Sequence, residues 1–142
     1  MTAKIIKLLR RRDQRGQSVS VFTTVVFAAL IMTAGLVIDG GQKVAAASRA
    51  ETAAAGAARA ATNAGVTQSL AGVSPGSASL RAAQAFLAGQ PDVTGQASVS
   101  NGVVTVHTRA TERTLFLSLI GIDTVSATGT AQANAVGPRQ TR

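Results

Sequence analysis

A chain of 142 residues has room for one small domain and an appended segment. Its 46% hydrophobic content rests on 28 Ala and on Val, with four Phe and no Trp or Tyr, so any core it builds is thin. A single His and no Cys exclude a Cys–His zinc site, a Cys–His nucleophile pair and a disulfide scaffold.

The net charge of +8 is concentrated at one end. Residues 1–18 hold Lys4, Lys7, Arg10, Arg11, Arg12 and Arg15 against one acid, Asp13. No aromatic side chain is interleaved there to stack bases, and no nucleic-acid-binding motif follows, so no nucleic-acid partner is expected. Residues 19–38, VSVFTTVVFAALIMTAGLVI, carry no charge and no Pro. A helix of this length rises about 30 Å, the thickness of a bilayer's hydrocarbon core. Six bases precede the stretch, whereas Lys43 and Arg49 follow it closely. That bias predicts a single-pass protein of the cytoplasmic membrane, with residues 1–18 inside and the remainder extracytoplasmic. A secretory signal shares this grammar. Ala45-Ala46-Ala47 offers small residues where a signal peptidase could cut, so a secreted or surface-anchored binding protein is the competing reading.

Residues 39–65 continue the helical signal. Between 45 and 64 there are 12 Ala and no Pro, and Thr62, Asn63 and Gly65 suggest the stop. Together with the span this predicts one helix, or two in series with Asp39, Gly40 and Gly41 as a hinge or an interface element. Asp39-x-x-Gln42 has capping-box spacing for a second helix, and Asp39 could equally sit among lipid headgroups. Ser20, Thr24 and Ala28 place small residues at every fourth position inside the span, as in packed transmembrane helices. Ala54 and Ala58 extend such a surface beyond the membrane, where partner subunits are expected to pack; a lone anchor is the alternative.

Residues 66–142 predict a small exported α+β domain. Residues 66–76 read as loop, and Ser77–Gly89 as a short helix with Leu80, Ala83, Phe86 and Leu87 on one face. Asn101-Gly102 is the preferred pair for a type I′ hairpin turn. With Ser100 and Val103 flanking it, Val99 faces Val104, Ala97 faces Val106, Ser98 faces Thr105 and Gln96 faces His107, so apolar meets apolar and polar meets polar. His107 then stands on the polar face, solvated. Val125–Ala135 alternates Val, Ala and Gly with Ser, Thr, Gln and Asn, which predicts a third strand of an antiparallel sheet. Between the hairpin and that strand, Leu115–Ile122 (LFLSLIGI) is the most hydrophobic exported segment and too short to span. It reads either as the plug of the sheet's core or as a docking segment, with Leu115, Phe116, Leu117, Leu119 and Ile120 as the contact residues.

In this order of elements the chain resembles a known family. The basic run ending Arg15-Gly16, the span ending GLVIDGG (Gly35–Gly41) and the helix AAASRAETAAAGAARAA (Ala45–Ala61) are similar to the tight-adherence (Tad or Flp) pilus-assembly proteins of the TadE/TadG-like type. Residues 15–64 carry the likeness, and the C-terminal half looks like the exported domain of actinobacterial members. The resemblance implies a bacterial, pilin-like component of a pilus-assembly or related secretion machine. Its partners would be other pilus or pseudopilin subunits, an inner-membrane platform and the membrane. Members processed by a prepilin peptidase carry Glu five residues after the cleaved Gly; counted from Gly16, that position is Val21. A protein that keeps its N-terminal anchor is therefore expected. No cofactor, metal or small-molecule substrate is called for, and no enzyme: Asp39, Glu51, Asp92, Glu112 and Asp123 are scattered one to an element or loop.

Overall fold

The structure, a computed structural model, describes residues 14–72 and 74–134, with side chains from residue 18 onward. A single helix, α1 (Gln14–Leu70), runs for 57 residues, or about 85 Å. It is followed by α2 (Pro75–Ala88), β1 (Val93–Ser100), β2 (Val103–Arg113), a 3-10 turn (Leu117–Ile120) and β3 (Thr124–Asn134). The strands form one antiparallel sheet in the order β1-β2-β3. The architecture is α+β: two helices on one face of a three-stranded sheet.

The hairpin forms in the register its turn demands. Asn101 and Gly102 both have positive φ, 52° and 77°, as a type I′ turn requires, and Val99 pairs with Val104, Ala97 with Val106 and Gln96 with His107. Strand β3 extends that alternation, with Ala133 beside Val104 and Ala131 beside Val106. The opposite face is polar and wet; there the His107 ring lies 3.2 Å from the Thr130 hydroxyl.

Helix α1 is the spine of the domain. Ala54, Ala57, Ala58 and Ala61 join Ala83 and Leu87 of α2 and Val104 and Val106 of β2 in the main core, while Ala46 and Ala50 meet Ala110 lower down. These Ala positions recur at three- and four-residue steps, the period of one helix face. Small side chains are what let the helix lie close to the strands. At the crossing, a Cβ on Gly129 would run into the backbone of Ala50 and Glu51, so no larger residue fits without parting the layers. The buried Thr108 hydroxyl spans the same contact, 2.7 Å from the Ala50 carbonyl oxygen. Such a bond contributes about 1 kcal/mol net. Gly56 plays the matching role for Phe86 of α2, whose ring fills the space a side chain there would occupy.

Helix α1 passes the expected stop near residue 65. Thr62, Thr67 and Ser69 turn their hydroxyls back to the carbonyls of Ala58, Asn63 and Gly65, which satisfies polar side chains without breaking the helix. The stop comes at Gly72, whose φ of 72° ends the helix in the left-handed region. Helix α2 starts two residues earlier than its periodicity indicates, because Pro75 occupies the first turn, and it ends at Gly89 as expected.

One buried polar group lies apart from any network. Ser79 is fully buried on α2, and its hydroxyl has no hydrogen-bond partner among the described residues. Removing an unpaired buried hydroxyl is neutral or favourable, so Ser79→Ala should raise the thermal midpoint of the domain slightly or leave it unchanged. A loss of more than about 1 kcal/mol in a denaturant titration would show that the hydroxyl is bonded.

Candidate functional site: an apolar loop clasped to the helix

The structure brings together two regions that the sequence reading kept apart, the end of the span and the segment after β2. Asp39 is 1% exposed, and its carboxylate accepts hydrogen bonds from three successive backbone amides: Leu115 at 2.7 Å, Phe116 at 3.0 Å and Leu117 at 2.6 Å. Four residues before it on the same helix face, Gly35 is buried under Phe116, and a Cβ there would collide with the aromatic ring. The pair forms a clasp. Glycine provides the flat seat for the ring and aspartate holds the backbone behind it.

The loop is also closed upon itself. The Thr114 amide donates to the Asp123 carbonyl at 3.0 Å, and the Thr114 hydroxyl donates to the Ile122 carbonyl. Inside that neck the amides of Leu119, Gly121 and Ile122 donate to Phe116, Ser118 and Leu117, and the Ser118 hydroxyl reaches the Leu115 carbonyl. Gly121 has φ 87°, which lets the chain turn back after the 3-10 turn. Burial acts to raise the Asp39 pKa, and the three amide donors outweigh it, so the carboxyl is held below its ordinary value.

These contacts decide between the two readings of residues 39–41 in favour of one continuous helix. Helix α1 runs unbroken through Asp39, Gly40 and Gly41, and both glycines face open space. Asp39 does not start a second helix over Gln42, because its oxygens are committed to amides of the distant loop. Of the two readings of residues 115–122, the plug is the one that fails. They do not plug the sheet's core; Phe116 and Leu117 are half-buried against α1, while Leu115, Leu119 and Ile120 are 60%, 82% and 73% exposed. Between the loop and α1 runs an open apolar groove of about 480 Å³, with Ala28, Met32 and Leu36 on one side and Phe116, Leu119 and Ile120 on the other.

Ala54 and Ala58 do pack, but within the chain. They lie under α2 and the sheet at 0% and 3% exposure, so they offer no face to a partner subunit. Ser20, Thr24 and Ala28 remain exposed on the bare part of the helix, with the Thr24 hydroxyl turned back to the Ser20 carbonyl at 2.9 Å. Arg10, Arg11 and Arg12 lie outside the described residues, as does the side chain of Arg15.

The bare part of α1 is long and apolar enough to cross a membrane, and it lies at the N-terminal end of the chain. No family model, curated protein or solved structure matches the chain. Among the described residues no three His, Cys, Asp or Glu side chains come together as a metal site would need. An ion pair joins the half-exposed Arg49 of α1 to the largely buried Glu112 of β2.

Sequence reasoning named Asp39 and the loop separately and missed that they meet. The Gly35–Asp39 spacing, a glycine and an acid one helical turn apart in an apolar run, was the available signal.

Proposed function

We propose that this chain is a single-pass, pilin-like structural subunit of a Tad/Flp pilus-assembly system or a related secretion machine, seated in the bacterial cytoplasmic membrane with residues 1–18 inside. The observation that carries the reading is the divided character of α1. Its first part is bare and apolar, and its second part is consumed as the spine of a small sheet domain. A subunit that is held in a membrane and presents a domain at its surface needs this division. Residues 18–38 stay available for lipid or for neighbouring spans, with Ser20, Thr24 and Ala28 as the close-approach face.

The clasp argues against removal of the apolar stretch. A cut after Ala47 would separate Asp39 from the amides of Leu115, Phe116 and Leu117, leaving those donors without their acceptor. The retained anchor is therefore preferred to the secreted alternative. The partners are other pilus or pseudopilin subunits and a membrane platform, and the role is assembly through packing rather than catalysis.

Deletion of the gene followed by imaging of surface fibres tests the assembly role. Loss of pili, restored by the intact chain, is the expected result, and normal pili together with normal secretion would refute it. A reporter active only in the cytoplasm, fused after Arg142, should be silent; activity would reverse the topology.

A further inference from the structure

We infer that the Leu115–Ile122 loop is a second membrane element, a short wedge immersed at the acyl–headgroup boundary of the leaflet that holds residues 35–38. The inference rests on the membrane-span part of the proposed function and goes beyond it by assigning the loop's occupant. Depth is the first argument. Phe116 seats on Gly35, which lies three residues, or about 4.5 Å, inside the end of the span at Ile38. Amphipathic elements at a membrane surface bury their apolar side to about 5–10 Å. A loop clasped there cannot stand clear of the lipid if α1 crosses the bilayer over residues 19–38.

Composition is the second argument. The segment from Thr114 to Ile122 has no charge, while Arg113 and Asp123 stand exposed at its neck and Lys43 is exposed on the adjoining turn of α1. This is the pattern of an apolar tip bounded by groups that remain among headgroups. The side chains that point away from the protein are the large apolar ones, Leu119 at 82% exposed and Ile120 at 73%. In water that exposure is costly, at roughly 25 cal/mol per Å² of apolar surface. In lipid it is not.

The third argument is the backbone. Irregular chain is expelled from lipid because its amides lack partners. Here the amides of Leu115, Phe116 and Leu117 are taken by Asp39, and those of Leu119, Gly121 and Ile122 by carbonyls inside the loop. The Asp39 carboxylate thus does for the loop what a preceding helical turn would do for a helix. The apolar groove between the loop and α1 is continuous with the lipid-facing side chains Met32 and Leu36, so acyl chains are its natural filling.

The full chain, which has no Cys, can be reconstituted in phosphatidylcholine vesicles with single Cys substitutions carrying an environment-sensitive dye. Leu119→Cys reports on the loop, Ile120→Cys repeats the measurement, Phe27→Cys reports on the span and Ser98→Cys on the outer sheet face. The Leu119 and Ile120 labels are expected to be quenched by shallow spin-labelled lipid and shielded from iodide, the Phe27 label, near the middle of the span, to be quenched by deep spin-labelled lipid and shielded from iodide, and the Ser98 label to respond to iodide alone. If Phe27 is lipid-quenched while the loop labels are open to iodide, the wedge is refuted and the span stands. Loop labels shielded from both quenchers would mean that protein, such as a second copy, covers the loop, which also refutes it. Access of iodide to Phe27 would refute the span and the wedge together.

Discussion

Trp in place of Ala54 is expected to unfold the exported domain, not merely to weaken an association. Ala54 is fully buried between α1 and the layer formed by α2 and the sheet, in a core whose largest fully buried apolar side chains are Val104 and Val106. An indole cannot be absorbed by rotamer changes there. The same interface is already at backbone contact where Gly129 meets Ala50, so a Trp must push the helix off the strands. Overpacking in a closed core costs typically 1–3 kcal/mol and more where the backbone cannot yield, so a loss of about 3 kcal/mol or more is expected. For a domain this small such a loss is most of its stability. In detergent, Ala54→Trp should become protease-sensitive across β1, β2 and β3, while Asn63→Trp, at an exposed position of the same helix, should remain resistant. Resistance in both would mean that the α1–sheet contact is loose, and the assignment of α1 as the spine would fail.

That outcome differs from what the alanine pattern alone suggests. From sequence, an Ala stripe marks a close-packed face, but whether the facing backbone belongs to the same chain or to another is not encoded in the stripe. Here it is the same chain, because β3 supplies Gly129 opposite Ala50 and α2 supplies Phe86 opposite Gly56. The hairpin was readable in full because every determinant is local: two residues that accept positive φ, and flanks that alternate in phase. The third strand was readable for the same reason, to within one residue at its start, while its expected last residue, Ala135, lies outside the described residues. The loop was not. Its partner lies 76 to 78 positions away, and the groups that recognise Asp39 are backbone amides, which every residue but Pro carries. No side-chain pattern in the loop can announce such a site; the hint lies on the helix, where Gly35 and Asp39 stand one turn apart at the end of an apolar run.

Asp39→Leu is expected to release the loop while leaving the sheet folded. The substitution keeps the helix propensity and the apolar surroundings but removes the acceptor for three amides, and a buried donor without a partner carries its full desolvation cost. Amide exchange is the direct readout. Protection factors at Leu115, Phe116 and Leu117 should fall by roughly tenfold or more, since bonds to an ionised acceptor are about twice as strong as neutral ones. Those at Val104 and Val106, held by the β-ladder and the Ala face, should not change. Asp39→Asn retains one carbonyl oxygen and should give an intermediate loss. The pH dependence has a definite sign. Because the folded carboxyl sits below its ordinary value of 3.8, the clasp is at full strength above that pH and is lost as pH falls through the lowered folded value. Protection at the three loop amides, corrected for intrinsic exchange, should therefore be flat from neutrality down to about pH 4 and drop only below it. Loss already between pH 7 and 5 would show that burial outweighs the amide donors and raises the carboxyl, and no response to Asp39→Leu would show that Phe116 on Gly35 holds the loop without help from the carboxylate.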